Sequence, residues 1–126
     1  MNVSEGKVYD AVTALVARYG FPVRIFPQVS LGEILKSKDR GAFFSVNSKR
    51  VDFVIADMKN APFAVLEFQG AGHYQNHAEK RDLIKKTACE KAGITYWEIK
   101  GQYSEEAISP LMEYLMSLYG QPSSSH

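Results

Sequence analysis

The chain has little cysteine, almost no net charge and no long apolar run. Its 126 residues include one cysteine, which excludes an internal disulfide and disfavours a cysteine-based zinc site. The formal net charge of +1 excludes a dedicated nucleic-acid coat protein, so any such binding must come from a local patch. No stretch approaches the roughly 18 apolar residues of a membrane span, and no secretory signal is visible. These absences predict a cytoplasmic protein in a reducing compartment, without membrane association.

Other common chemical motifs are missing too. Gly70-Ala71-Gly72 lacks the further glycine and the helix of a Walker or dinucleotide-binding loop. His73 and His77 have too few accompanying ligands for a zinc site. Cys89 lies in the apolar part of a predicted helix and is interpreted as buried filler rather than as a nucleophile.

The hydrophobic pattern predicts one α/β domain over residues 1–119 and a disordered tail over residues 120–126. The predicted elements are a helix at 4–19, a strand at 23–29, a helical turn at 30–36, a short extended piece at 42–46, strands at 50–56 and 62–69, a helix at 75–92, a strand at 94–99 and a helix at 104–119. Because a helix between two strands is the usual crossover between parallel strands, we expect a mixed central sheet flanked by helices.

A β-hairpin is the clearest local feature. In its first strand Val51, Phe53 and Ile55 are expected on one face and Asp52 on the other. The second strand carries Glu67, with Gln69 on the same face. The hairpin should bring Asp52 close to Glu67, and carboxylate and amide oxygens are the ligands that Mg²⁺ and Mn²⁺ prefer. Similar acids also occur in many α/β proteins without any site, so their spacing alone does not decide.

The order of short motifs narrows the choice. Residues 50–55 (RVDFVI) followed by 65–70 (VLEFQG) resemble the signature of the PD-(D/E)XK, or restriction-endonuclease-like, nuclease superfamily. Over roughly residues 4–100 the chain is similar to a small bacterial branch of uncharacterised function. The similar pieces are the first helix with Glu5, residues 26–31, His73, the run from Arg81 to Lys85, and Ala92-Gly93-Ile94.

The resemblance implies a restriction-endonuclease-like αβββαβ core with a site for Mg²⁺ or Mn²⁺. Asp52, Glu67 and Gln69 would be its ligands and catalytic residues, and Glu5 would contribute directly or through water. His73 would contact phosphate or assist proton transfer; a surface-loop histidine is the equal alternative.

One position departs from the superfamily pattern, because Gln69 stands where lysine is usual. That lysine is thought to position water and to stabilise charge that develops on the phosphate. Glutamine has no charge, although it can coordinate a metal or orient water. Lys85 or Arg81, on the following helix, would supply the missing charge.

A nucleic-acid surface is predicted from the same residues. Arg81 and Lys85 share a helix face and, with Arg50, would bind backbone phosphates. DNA is the expected partner ahead of RNA. A solvated helix face explains most of the cations equally well.

Three functions stay open: a metal-dependent nuclease, an inactive nuclease-fold module that binds nucleic acid or protein, and a protein-interaction or inhibitor domain. Homodimerisation is also open.

Overall fold

The computed structural model describes residues 3–35, 49–69, 76–100 and 104–120. Its elements are α1 (Val3–Tyr19), β1 (Val23–Ser30), α2 (Leu31–Leu35), β2 (Arg50–Asp57), β3 (Pro62–Gln69), α3 (Asn76–Lys91), β4 (Thr95–Lys100), a 3₁₀ turn (Glu105–Ile108) and α4 (Ser109–Tyr119). Most of these elements begin and end close to the predicted bounds. The extended piece predicted at 42–46 and the tail beyond residue 120 lie outside the described residues.

A four-stranded mixed sheet forms the middle of the molecule. The strand order is β1-β2-β3-β4, with antiparallel pairing among the first three strands and parallel pairing between β3 and β4. The helix α3 lies in the connection between the two parallel strands, as such a connection requires. The predicted α/β class with a mixed sheet flanked by helices is therefore confirmed.

Each face of the sheet is covered by two helices. On one face α1 and α4 pack against strand residues that include Phe53 and Leu66. On the other face α2 and α3 pack against residues that include Val54 and Val65. Removal of these apolar side chains from water is the main favourable contribution to folding. Because α1 and α3 cover opposite faces, side chains from these two helices can reach the same end of the sheet from opposite sides.

The expected alternation along β2 is wrong at its first apolar residue. Phe53 and Ile55 pack together in the cluster beneath α1 and α4, as predicted, but Val51 packs with Val54 on the opposite face. Backbone pairing between β2 and β3 begins only at Phe53, whereas β1 pairs with β2 as far as Arg50. The start of β2 therefore follows β1 rather than β3, and the strict two-residue alternation is lost there.

The last helix also begins differently from its prediction. Residues 105–108 form a 3₁₀ turn, and the α-helix starts only at Ser109. Pro110 lies in its first turn, the one part of an α-helix where a residue without an N–H is tolerated.

Among the described residues, no helix has both the length and the apolar character needed to cross a bilayer.

Candidate functional site

The β2–β3 hairpin places Asp52 directly opposite Glu67. The turn is held by Asp57, whose Oδ1 accepts hydrogen bonds from the N–H groups of Lys59 and Ala61 at 2.8 and 2.9 Å. Phe53 pairs with Leu66 in an antiparallel register. Continued by one residue beyond that pair, the register brings position 52 opposite position 67. The predicted meeting of these two acids is confirmed.

At this point the two carboxylates replace the backbone ladder. The Glu67 Oε2 atom accepts a hydrogen bond from the Asp52 N–H at 3.0 Å, and the Asp52 Oδ2 atom accepts one from the Phe68 N–H at 2.7 Å. Each carboxylate is therefore held by the backbone of the opposite strand. Direct backbone pairing between the two strands begins one step further on, at Phe53 and Leu66. The two acids are fixed in orientation before any ligand arrives.

Glu67 is buried and is neutralised from α3. The residue is only 4% exposed, and the Lys85 Nζ atom lies 2.6 Å from Oε1. Lys85 also donates to the Arg50 carbonyl at 3.0 Å, and the Tyr96 hydroxyl lies 3.5 Å from the same Glu67 oxygen. Burial of a carboxylate is costly unless it is paired and hydrogen-bonded. Lys85 of α3 thus supplies the positive charge that pairs with Glu67 of β3.

Asp52 has a perturbed acidity. Burial and the negative charge of Glu67 raise the pKa of Asp52 to about 6, against the lowering effect of the Phe68 N–H and of Lys85. Two carboxyl groups that repel each other are easier to ionise when a cation lies between them.

The raised pKa predicts a loss of stability as the pH rises. Because the folded pKa of Asp52 lies above its ordinary value of 3.8, this residue stabilises the fold below about pH 4, and that contribution is lost as the pH rises through about 6. Each pH unit by which a pKa is raised corresponds to about 1.4 kcal/mol. Since Asp52 is partly exposed and screened, we expect a decrease of only about 1–2 kcal/mol in its contribution. Urea denaturation in metal-free buffer between pH 4 and 8 measures it, with the Asp52→Asn variant lacking this component.

A second group of polar residues borders the carboxylate pair. Gln28 lies opposite Asp52, since Pro27 pairs with Phe53 and Val29 with Val51. The Gln28 Nε2 atom donates to the Glu5 Oε2 atom at 3.2 Å. The Gln28 carbonyl accepts a hydrogen bond from the Arg50 guanidinium at 2.8 Å. The helix α1 thus contributes a carboxylate near this end of the sheet.

The structure unites part of the predicted site. Asp52, Glu67 and Lys85 meet, and Glu5 lies beyond Gln28. Gln69 is the last residue of β3 and Arg81 lies in α3, but their side chains are outside the described part of the chain. His73 lies outside the described residues altogether.

Two contributors were not assigned to the site from sequence. Tyr96 lies in the strand predicted at 94–99, where its apolar surroundings indicate a core position, and it is buried. Its neighbour in β3 is Val65, two residues before Glu67, and this register appears only once β3 and β4 are paired. Gln28 belongs to the resembling segment 26–31 but had no role of its own, because glutamine has no special preference for its observed backbone conformation.

Cys89 is confirmed as a buried residue of α3. Its side chain is inaccessible to solvent, and burial raises the pKa of its thiol to about 12. The thiolate that nucleophilic chemistry requires is therefore absent at neutral pH.

A metal ion would find few ligands among the described residues. They contain no group of three or more acidic, histidine or cysteine side chains close enough to hold a metal ion. The opposed carboxylates of Asp52 and Glu67 are nevertheless the one or two acids by which Mg²⁺ is usually bound, the remaining positions being taken by water or substrate oxygens. The described residues therefore offer no closed protein cage, and a cation held here would have to be one that accepts two carboxylates and water, such as Mg²⁺ or Mn²⁺.

The chain belongs to the family described as protein of unknown function DUF2726, whose model matches residues 1–116. It is 42% identical over 115 residues to an uncharacterised protein of Haemophilus influenzae, covering 91% of this chain and 60% of that one. It is 39% identical over 117 residues to an uncharacterised protein of Sinorhizobium fredii, covering 92% of this chain and 85% of the relative. The chain thus spans less than two thirds of the Haemophilus protein. No solved structure shows significant similarity to it.

Proposed function

We propose that this protein is a metal-dependent nuclease that hydrolyses phosphodiester bonds in nucleic acid, with a restriction-endonuclease-like core and a cytoplasmic location. The observation that carries the proposal is the opposition of Asp52 and Glu67, each held by the backbone of the other strand. Their repulsion opposes folding, and an acid pair kept at such a cost points to a role beyond stability. The resemblance of the flanking sequence to PD-(D/E)XK nucleases specifies that role.

Three residues are proposed to hold the cation and one to act beyond it. Asp52 and Glu67 would bind Mg²⁺ or Mn²⁺, together with Gln69 or the Phe68 carbonyl. Glu5, which forms no close group with the two acids, would act through water. When bound, the ion would supply a Lewis acid that polarises the phosphate and lowers the pKa of water.

Lys85 is proposed to supply the charge that Gln69 lacks. Its Nζ atom lies at the carboxylate pair, 2.6 Å from Glu67, although it comes from α3 and not from β3. From this position it would stabilise negative charge on the scissile phosphate. Arg50 is exposed at the start of β2, and it would contact the nucleic-acid backbone with Arg81. DNA remains the proposed substrate ahead of RNA, and His73 remains a candidate for phosphate contact.

A second candidate is favoured by Gln69 itself. A module of the same fold that binds nucleic acid, or a protein partner, without cutting would need no lysine in the strand motif. It would show salt-sensitive association with nucleic acid but no turnover, because its affinity would depend on counterion release from phosphates.

The proposal is tested by cleavage of supercoiled plasmid, single-stranded DNA and RNA. The purified protein should cut at least one of these with Mg²⁺ or Mn²⁺ and none with EDTA. The Asp52→Ala variant should not cut, whereas Asp10→Ala, a change at an exposed position of α1, should cut like the wild type. A folded wild type that leaves all three substrates intact would favour the binding module. Cutting by Asp52→Ala at the wild-type rate would remove Asp52 from the site.

A further inference from the structure

Gln28 adopts a backbone conformation that its side chain does not favour. Its φ of +54° lies in the left-handed region, which residues other than glycine, asparagine and aspartate rarely enter. Among the described residues other than glycine, only Asn60 shares a positive φ, and it lies in the β2–β3 turn where asparagine is well tolerated. Backbone strain of this kind tends to persist at functional sites, where surrounding contacts impose it.

The contacts of Gln28 show what imposes the conformation. The Arg50 guanidinium donates to its carbonyl at 2.8 Å, and its own amide nitrogen donates to the Glu5 carboxylate at 3.2 Å. Gln28 lies opposite Asp52 in the β1–β2 register. It therefore connects the edge strand, the start of β2 and the first turns of α1 at one point beside the acid pair.

Glu5 and Lys85 approach this end of the sheet from opposite faces. The helix α1 packs Val8 and Val12 into the cluster on one face, and α3 packs Cys89 into the cluster on the other. Lys85 is directed to Glu67 by its own ion pair and by the Arg50 carbonyl. For Glu5 the corresponding contact to the sheet is the amide of Gln28.

We propose that Gln28 is a positioning residue, which holds the Glu5 carboxylate where it accepts hydrogen bonds from the water around a cation bound at Asp52 and Glu67. This inference rests on the proposed function. Mg²⁺ and Mn²⁺ keep several waters in sites with two carboxylates, so an acid beyond direct reach still contributes to affinity. Groups that orient such outer contacts alter metal affinity by about 10–100-fold when they are removed.

The test is the Gln28→Gly variant, with Mn²⁺ affinity and thermal stability measured separately. Glycine adopts a positive φ without strain, so the melting temperature in EDTA should rise by about 2–4 °C. The dissociation constant for Mn²⁺, measured by electron paramagnetic resonance of the free ion, should rise about tenfold. Glu5→Ala should weaken Mn²⁺ binding at least as much, and adding Gln28→Gly to it should weaken binding no further, because Gln28 acts only through the Glu5 carboxylate.

Asn60→Gly is the matched control, since it places glycine at the other positive-φ residue, in the β2–β3 turn away from the acid pair. It should bind Mn²⁺ like the wild type. Wild-type affinity in Gln28→Gly would overturn the positioning role and leave the proposed function standing. A fall in both affinity and melting temperature would assign Gln28 a purely structural role. A wild type that binds no Mn²⁺ would overturn the proposed function and this inference together.

Discussion

The Asp52→Asn variant is expected to be more stable than the wild type and at the same time inactive. Asparagine keeps the size of the side chain and an oxygen that accepts the Phe68 N–H, but it removes the charge that Glu67 repels. At pH 7.5 without metal, the free energy of unfolding should rise by about 1–2 kcal/mol. This is the free energy that corresponds to the raised pKa of Asp52, reduced because the residue is partly exposed to solvent. Cleavage should fall by about 10³-fold or more, because several kcal/mol of metal-dependent stabilisation are lost.

Urea denaturation and the initial rate of cleavage measure the two effects on the same preparation. Saturating Mn²⁺ should stabilise the wild type by about 2.7 kcal/mol at a concentration 100 times the dissociation constant, and it should stabilise the variant far less. The exposed Asp10→Asn change is the control and should alter stability by less than about 0.5 kcal/mol. If Asp52→Asn proves less stable than the wild type, the acid pair supports folding and its repulsion is not the dominant interaction.

Removal of the Lys85 charge is expected to destabilise the protein strongly. In the Lys85→Met variant, Glu67 would keep a buried negative charge without its 2.6 Å partner. The loss of one partner from a buried ion pair costs about 3–5 kcal/mol, and since Lys85 is partly accessible we expect about 3 kcal/mol. For a domain whose total stability is about 5–15 kcal/mol, such a decrease should be obvious in denaturant titrations.

Two further variants separate the charge from the loss of the side chain. Lys86→Met, the same change at the next and exposed position of α3, should cost less than about 0.5 kcal/mol. Addition of Glu67→Gln to Lys85→Met should restore much of the lost stability, because it removes the unpaired charge while retaining an acceptor for the Asp52 N–H. Equal losses for Lys85→Met and Lys86→Met would show that the ion pair contributes little to stability.

The local parts of the fold were predictable from sequence. The β2–β3 hairpin is encoded by two apolar runs around a turn at Asp57, and the pairing of Asp52 with Glu67 follows from its register. The alternation beyond Phe53 was equally visible. Val51 was mispredicted because its packing depends on β1, which lies more than 20 residues earlier in the chain. Periodicity within one strand carries no information about such a neighbour.

The parts of the site that depend on distant contacts were predictable only in outline. Lys85 was recognised as a replacement for the missing strand lysine, but its contact with Glu67 requires the crossover that packs α3 onto the sheet. The left-handed conformation of Gln28 accompanies its contacts with Arg50 and Glu5, and no local pattern indicates it. Propensity and spacing describe neighbours in sequence, whereas these contacts join five separate elements, namely α1, β1, β2, β3 and α3.

The burial of Cys89 makes the protein suitable for labelling with a single dye. The chain has one native cysteine, and that thiol is 0% exposed with a pKa of about 12, so a maleimide reagent should leave it unmodified in the folded state. A cysteine introduced in place of Met58, which is 52% exposed at the far end of the hairpin, would then carry the only fluorophore. Such a probe would report nucleic-acid binding by anisotropy without removal of the native thiol.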